Sequence, residues 1–250
     1  MNFIDIAVQQ FLQEKGYNKF TLRAVLFDMD GVLYDSLPNH TNSWVTVMHH
    51  NGLSMTEADV YLNEGRIGYD TIDIIAGREG KTIDMENRKR IYHEKTILFN
   101  LCPPVTLMHG SLQLLQKIAT NGLLAFVVSG SGQPSLIERI CQDFPGIFTP
   151  ENIVTSFNVN KGKPHPEPYL TALEKGKLSA CEAIVVENAP IGIESGRAAG
   201  LFVIAVNTGP LPDSILLDSG ANILFSSVED LFNKWEQLSD CLLQTEIRIS

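Results

Sequence analysis

Short, continuous apolar runs alternate with helix-like segments along much of the chain. The apolar runs lie at Ala24–Phe27, Leu123–Val128, Ile184–Val186, Leu201–Val206 and, more weakly, Ile223–Phe225. Runs without polar alternation are typical of strands in a parallel sheet that is covered on both faces. The segments with helical spacing lie at Gly110–Thr120, Pro134–Asp143, Pro166–Lys175, Ile191–Ala199 and Val228–Leu238. This alternation predicts an α/β fold, with a doubly wound parallel sheet and right-handed βαβ connections.

Residues 38–100 interrupt this rhythm, because they are rich in charged residues and contain no good strand run. Their spacing predicts helices at Pro38–Asn51, Thr56–Asn63, Tyr69–Arg78 and Asp84–Asn100. We therefore expect a helical insert, residues 38–100, in a core formed by residues 1–37 and 101–250. A further amphipathic helix is predicted over residues 3–15, ending at Gly16.

Composition and charge narrow the classes of function. The chain has 250 residues, 44% of them apolar and 19% charged, which is enough for a globular core. Its formal net charge of −10 argues against nucleic acid and anionic membranes as partners, and no feature indicates a protein partner. No run approaches the ~20 apolar residues of a membrane-spanning helix. The lack of a secretory signal and the four widely spaced cysteines predict a cytoplasmic protein with free thiols.

The candidate chemistry lies just after the apolar runs, where parallel sheets bind their ligands. Asp28 and Asp30 follow the first run, and residues i and i+2 of an extended segment point the same way. Two carboxylates at this edge suit a nucleophile with an acid/base, or a pair of metal ligands. A turn with solvated acids is the alternative.

Three further strand ends carry polar residues. Ser129 and Gly130 begin a small-residue loop before a helix, which suits a phosphate cradle or an ordinary βα turn. Lys163 precedes a proline in a stiff loop and is a candidate point charge for a phosphoryl oxygen, although it could equally be a solvated surface lysine. Glu187 and Asn188 offer oxygen atoms of the kind that hard cations prefer.

Taken together in this order, the four segments resemble those of the haloacid dehalogenase superfamily. The matching stretches are FDMDGVLYDS at Phe27–Ser36, VVSGSG at Val127–Gly132, GKPHPEPY at Gly162–Tyr169 and VVENAPIGIESGRAAG at Val185–Gly200. The resemblance is to the branch with a helical cap inserted after the first strand, which includes β-phosphoglucomutase and many sugar phosphatases. It implies a Rossmann-like core and an aspartyl-phosphate mechanism with Mg²⁺.

The resemblance assigns a role to each matching residue. Asp28 would be the nucleophile, and Asp30 would protonate the leaving group and then deprotonate water. Ser129 and the N–H group of Gly130 would hold the phosphoryl oxygens, and Lys163 would offset the negative charge. The acid at Asp30 argues against dehalogenation, because expulsion of a halide does not need it.

The expected metal ligands are Asp28, Asp30 (through its backbone carbonyl), Glu187 and Asn188. Here the chain departs from the family, whose last motif usually carries two acids where this sequence has Glu187 and Asn188. An amide oxygen can ligate Mg²⁺ but brings no charge. Glu187 or another carboxylate would then have to supply that charge, unless the metal is bound weakly.

The insert is expected to select the substrate. Glu64 stands where we align a lysine of the mutase, and Gly68 stands where we align its arginine. Arg66 and His40 are the other candidates for contact with substrate. The alternatives are a surface ion pair for Glu64 and Arg66, and packing on the first cap helix for His40.

These observations favour a Mg²⁺-dependent phosphohydrolase that acts on a small phosphorylated metabolite or on pyrophosphate. A phosphoryl transfer between sugar hydroxyls, as in β-phosphoglucomutase, is the first alternative. A phosphate-binding domain without catalytic activity is the second.

Overall fold

A computed structural model describes residues 2–132 and 134–246 and shows a parallel sheet between two helical layers. Within these residues the sheet has six strands, in the order β5-β4-β1-β6-β7-β8. Their bounds are β1 Ala24–Phe27, β4 Leu124–Val128, β5 Ile153–Val154, β6 Ala183–Glu187, β7 Phe202–Val206 and β8 Ile223–Phe225. The predicted α/β fold is confirmed. Strand β5 was not predicted, because two residues at a sheet edge are too short to form a recognisable run.

Side chains of β1 alternate between two hydrophobic clusters, one on each face of the sheet. Val25 and Phe27 belong to one cluster, and Ala24 and Leu26 belong to the other. The helices outside the insert are α1 Phe3–Lys15, α6 Ser111–Thr120, α7 Pro134–Asp143, α8 Glu167–Gly176, α9 Pro190–Ala198, α10 Asp213–Asp218 and α11 Val228–Gln244. Burial on both faces explains why β1 has no polar position.

Four helices, α2 Leu37–His50, α3 Glu57–Leu62, α4 Gly68–Arg78 and α5 Met85–Leu101, form the inserted segment. They enclose a separate hydrophobic cluster that includes Trp44, Met48 and Ile72. The two chain segments that connect the insert to the sheet pair as short antiparallel strands, β2 Tyr34–Asp35 and β3 Thr106–Leu107. We describe α2–α5 as the cap below.

The structure also changes two helix predictions and shows the state of the cysteines. Helix α10 was not predicted, and α11 extends to Gln244 rather than ending at Leu238. The four cysteines, all of them among the described residues, are free, half-buried thiols. A search of the described helices finds none that combines the length and apolar character needed to cross a membrane.

Candidate active site

Lys163 joins the ends of the three central strands. Its Nζ lies 2.5 Å from Oδ1 of Asp28, 2.6 Å from Oε1 of Glu187 and 2.8 Å from the carbonyl oxygen of Val128. The lysine is buried, which by itself lowers its pKa, but the carboxylates of Asp28 and Glu187 raise the pKa above its usual value. Lys163 is therefore a fixed positive charge at the centre of the site.

Asp28 follows β1 directly and has two oxygen atoms in different environments. Oδ1 accepts the hydrogen bond from Lys163, whereas Oδ2 is buried and has no hydrogen-bond partner among the described residues. Burial raises the pKa of Asp28 to about 7, and the negative charges of Glu187 and Asp30 add to this effect against the opposing charge of Lys163. One carboxylate oxygen thus remains available in a buried, negatively charged setting.

Asp30 shares this site, although strand alternation does not place it there. The strand ends at Phe27 and the chain bends at Met29, so the turn itself brings the two acids together. Oδ1 of Asp30 accepts hydrogen bonds from Oγ of Ser36, at 2.5 Å, and from Nε2 of His40, at 3.1 Å. Burial alone would raise the pKa of Asp30. The hydrogen bonds from His40 and Ser36, together with the positive charge of Lys95, lower this pKa below its usual value.

A second buried lysine fixes the orientation of His40. Nζ of Lys95 lies 2.8 Å from Nδ1 of His40 and between the rings of Trp44 and Phe99. Burial lowers the pKa of Lys95 to about 8 and also lowers the pKa of His40. The ammonium group donates to Nδ1, so a neutral His40 carries its proton on Nε2 and donates it to Asp30.

Sequence reasoning missed Lys95, although a signal was present. Ile91, Lys95 and Phe99 recur at intervals of four along α5 and are all buried. A lysine within the apolar stripe of an otherwise polar helix indicates a buried charge with a partner.

Glu187, which the sequence offers as a metal ligand, has hydrogen bonds at both of its carboxylate oxygens. Its Oε1 accepts hydrogen bonds from Lys163 and from the hydroxyl of Tyr169, at 2.8 Å. Its Oε2 accepts from the backbone N–H groups of Asn188 and Ala189. Both oxygens therefore already accept hydrogen bonds, and Oε1 holds Lys163 in place. Tyr169, which is fully buried, was not recognised from the sequence as part of this network.

The remaining oxygen atoms fit a small divalent cation. Oδ1 of Asn188, like Oδ2 of Asp28, is buried without a hydrogen-bond partner in the described part of the chain. No three His, Cys, Asp or Glu side chains form a ready-made metal centre within residues 2–132 and 134–246. A cation here would instead combine carboxylate, amide and carbonyl oxygens with water, the ligand chemistry of Mg²⁺ rather than of Zn²⁺.

The loop after β4 meets the cap without an intervening side chain. Oγ of Ser129 accepts a hydrogen bond from the N–H group of Ser131, at 2.9 Å, and thereby closes the loop. The carbonyl oxygen of Gly65 would lie only 1.8 Å from a Cβ placed on Gly130. The structure therefore shows a cap seated directly on the predicted phosphate cradle.

Between the cap and this loop lies a cavity of about 30 Å³, room for about two water molecules. Its wall includes His40, Glu64, Arg66, Lys95 and Gly130. All four residues predicted to bind substrate (His40, Glu64, Arg66 and Gly130) thus line one cavity.

Two of the charged cap residues of this cavity, Glu64 and Arg66, differ in their surroundings. Burial, together with the charges of Asp30 and Asp28, raises the pKa of Glu64 well above its usual value. Nε of Arg66 donates a hydrogen bond to Oδ1 of Asn63, at 3.2 Å, and Arg66 also lines an open groove outside the cavity. Glu64 therefore belongs with the acids of the core, whereas Arg66 lies at the rim.

Comparison with known proteins agrees with this geometry. The family model for haloacid dehalogenase-like hydrolases matches residues 25–206. Hexitol phosphatase A of Escherichia coli is 31% identical over 185 residues, 74% of this chain and 83% of the relative. Beta-phosphoglucomutase of Bacillus subtilis is 27% identical over 230 residues, 86% of this chain and 96% of the relative.

A solved structure extends the match to nearly the whole fold. The protein named "Putative beta-phosphoglucomutase from Bacteroides vulgatus" has a TM-score of 0.94 and 48% sequence identity, covering 97% of this chain and 99% of that one. The chain belongs to the haloacid dehalogenase-like hydrolases, and within that family it is an enzyme of the phosphatase and β-phosphoglucomutase class.

Proposed function

We propose that this enzyme is a Mg²⁺-dependent phosphohydrolase that forms an aspartyl phosphate on Asp28 and acts on a compact phosphorylated substrate. The observation that carries the proposal is the state of Asp28. Its Oδ1 is held by Lys163, while its buried Oδ2 faces no hydrogen-bond donor among the described residues. A carboxylate that is oriented on one side and free on the other is suited to nucleophilic attack.

In the first half-reaction, the carboxylate of Asp28 attacks phosphorus, and the bond to the leaving oxygen breaks. Asp30 donates a proton to that oxygen, and a bound phosphate dianion beside Asp30 favours its protonated form by charge repulsion. Ser129 and the N–H group of Gly130 hold the phosphoryl oxygens, and Lys163 offsets their negative charge.

In the second half-reaction, the ionised Asp30 takes a proton from water, which attacks the aspartyl phosphate and releases inorganic phosphate. The hydrogen bonds from Ser36 and His40 hold Asp30 in place for both proton transfers. The lowered pKa of Asp30 makes its ionised form the resting state, which is the form that a base requires.

The site as described lacks enough positive charge for this chemistry without a cation. Burial and its acidic neighbours raise the pKa of Asp28 to about 7 despite the adjacent Lys163. Asp28, the backbone carbonyl of Asp30, and Asn188 would hold Mg²⁺, with Glu64 of the cap as a further candidate. When bound, the cation screens the repulsion between the carboxylate and the phosphate.

The shape and charge of the cavity favour small substrates over a hexose bisphosphate. The cavity beneath the cap has only about 30 Å³, and Glu64 on its wall is an acid that offers no positive charge to a distal phosphate. Gly68 brings no cation to the place where we align the mutase arginine. Small phosphate monoesters, including short sugar phosphates, and pyrophosphate are therefore the proposed substrates.

Phosphoryl transfer between sugar hydroxyls is the second candidate. It is favoured by the extent of the match to the β-phosphoglucomutase of Bacillus subtilis, which covers 96% of that protein. In this reading the cap would open far enough to admit a hexose, and water would be excluded from the aspartyl phosphate.

A panel of substrates would separate the two candidates. Pyrophosphate, small phosphate monoesters, p-nitrophenyl phosphate and β-glucose 1-phosphate would be incubated with the enzyme and Mg²⁺. Release of inorganic phosphate from the compact substrates, with little glucose 6-phosphate formed from β-glucose 1-phosphate, is the expected result. Efficient formation of glucose 6-phosphate would contradict the proposal and favour the mutase.

A further inference from the structure

The ring of Tyr92 lies between the cavity beneath the cap, which Gly130 of the phosphate loop also lines, and a second groove, which we call the outer groove. Tyr92 and Gly68 line both spaces. The outer groove has a volume of about 170 Å³, and its other lining residues are Ile67, Tyr69, Gly132, Ser156 and Phe157. The cavity beneath the cap has only about 30 Å³. One aromatic side chain thus stands between a small space and a larger one.

Gly68 provides the surface on which this ring rests. A Cβ at residue 68 would lie 2.2 Å from Cε2 of Tyr92 and 2.5 Å from Cδ2. Gly68 is the first residue of α4, and its φ is not left-handed, so the backbone does not require glycine there. Glycine also has a poor helix propensity. Contact with the ring is the physical reason for a glycine at this position.

The ring is held firmly from the other sides. It packs edge-to-face against Tyr69, with centroids 5.7 Å apart, and at a tilt against Trp44, at 6.0 Å. Its hydroxyl lies against Gly132 in the loop that follows β4, where a Cβ added to that glycine would lie 2.9 Å from the hydroxyl oxygen. Tyr92 is therefore a fixed wall between cap and core rather than a loose surface side chain.

We propose that Tyr92, seated on Gly68, is a specificity-determining residue that limits the size of the group attached to phosphorus. Removal of the ring would join the cavity to the outer groove and would let a bulky substituent extend past Gly132. This inference rests on the proposed phosphohydrolase function, since it assumes that phosphorus is bound at Asp28. It concerns only which substituents fit, not how the phosphorus–oxygen bond breaks.

The test measures affinity for two phosphonates that cannot be hydrolysed, so that it does not depend on turnover. Methylphosphonate carries a small substituent and phenylphosphonate carries a bulky one. Calorimetric titration in the presence of Mg²⁺ would give the ratio of their affinities for the wild type, Tyr92→Ala and Tyr92→Phe. We expect Tyr92→Ala to shift this ratio toward phenylphosphonate by about tenfold or more, and Tyr92→Phe, which keeps the ring, to shift it less than about twofold.

A glycine pair in α4 provides a second, independent variant with a matched control. Gly68→Ala should displace the ring and shift the ratio in the same direction, but should add nothing in the Tyr92→Ala background. Gly77→Ala lies in the same helix, and its Cβ would meet no atom of the described residues within 4 Å. Gly77→Ala should therefore leave the ratio unchanged.

Each outcome separates this inference from the proposed function. An unchanged affinity ratio in a folded Tyr92→Ala variant would show that the ring does not limit substituent size. A shift in Tyr92→Phe as large as that in Tyr92→Ala would show the same, because Tyr92→Phe keeps the ring. Phosphate release from the substrate panel is measured on the same wild-type preparation. If the ratio shifts in Tyr92→Ala but the wild type releases no phosphate, the specificity role of Tyr92 is supported and the hydrolase proposal fails.

Discussion

The core and cap sides of the candidate active site are built differently. On the core side, directed hydrogen bonds fix every charged group: Lys163 binds Asp28 and Glu187, and Tyr169 binds Glu187. On the cap side, the closest contacts are a glycine carbonyl against Gly130 and an aromatic ring. Chemistry at phosphorus requires fixed positions, whereas a cap that admits substrate must separate from the core. These two contacts, unlike the hydrogen bond between His40 and Asp30, can part without leaving a buried charge unpaired.

The acid/base Asp30 depends on residues from both the core and the cap. Asp30 belongs to the core, but His40 of α2 holds it, and Lys95 of α5 holds His40. The acid/base is therefore the core group whose electrostatic surroundings depend on the cap. If the cap moved away, Asp30 would lose the hydrogen bond from His40 and the nearby charge of Lys95.

The largest effect is expected for the nucleophile on the core side. Asp28→Asn preserves shape but removes the negative charge, and kcat should fall to less than about one hundredth of the wild-type value, a barrier increase above ~2.7 kcal/mol. Phosphate release under saturating substrate is the measurement. Asp218→Asn, at an exposed position on α10, is the matched control and should retain activity. Higher residual activity in a folded Asp28→Asn variant would exclude Asp28 as the nucleophile.

Removal of the metal tests the core side in a second way. EDTA should abolish activity, Mg²⁺ should restore it, and the larger Ca²⁺ should not. Asn188→Asp adds a negative charge at a buried oxygen that has no partner in residues 2–132 or 134–246, so it should tighten Mg²⁺ binding. Calorimetric titration with Mg²⁺ is the check, and weaker or unchanged affinity would mean that Asn188 is not a ligand.

On the cap side, Glu64→Gln tests whether the carboxylate of Glu64 contributes to the metal site. If the carboxylate contributes to the metal site, the variant should need about tenfold more Mg²⁺ for half-maximal activity and should have a lower maximal rate. The dependence of phosphate release on Mg²⁺ concentration is the measurement. Glu57→Gln, an exposed cap position in the first turn of α3, should behave like the wild type. A Glu64→Gln variant indistinguishable from this control would confine metal binding to the core.

The last prediction concerns stability rather than activity, at the cap lysine that holds His40. Burial lowers the pKa of Lys95 to about 8 in the folded protein, from an ordinary value of 10.5. Between these values the unfolded chain binds more protons, so this lysine makes the folded state more stable as pH rises. The free energy of unfolding of the wild type relative to Lys95→Met should therefore increase from about pH 8 toward about pH 10.5.

Lys89→Met, at an exposed position of the same helix, is the control and should show no such trend relative to the wild type. Denaturant unfolding at a series of pH values measures both differences. A pH-independent difference for Lys95→Met would mean that Lys95 keeps its ordinary proton affinity in the folded state.

Local patterns in the sequence were sufficient for much of the fold. A strand that is buried on both faces must be apolar throughout, so β1, β4, β6 and β7 were visible as continuous runs. The two-residue strands β2, β3 and β5 depend on their partners and left no pattern. Helix α10 has only six residues, too few for a clear period.

The sequence by itself determined which residues end the strands, and therefore that Asp28, Ser129 and Glu187 belong to one site. Position along a strand is a local property, and parallel strands bring their ends to a common edge. Only the tertiary structure decided how each group is used. Oxygen atoms accept a limited number of bonds, and the partners that occupy Glu187 come from another loop and helix. Likewise Lys95 and His40 lie 55 residues apart, and the contact of Tyr92 with Gly68 depends on how α4 and α5 pack.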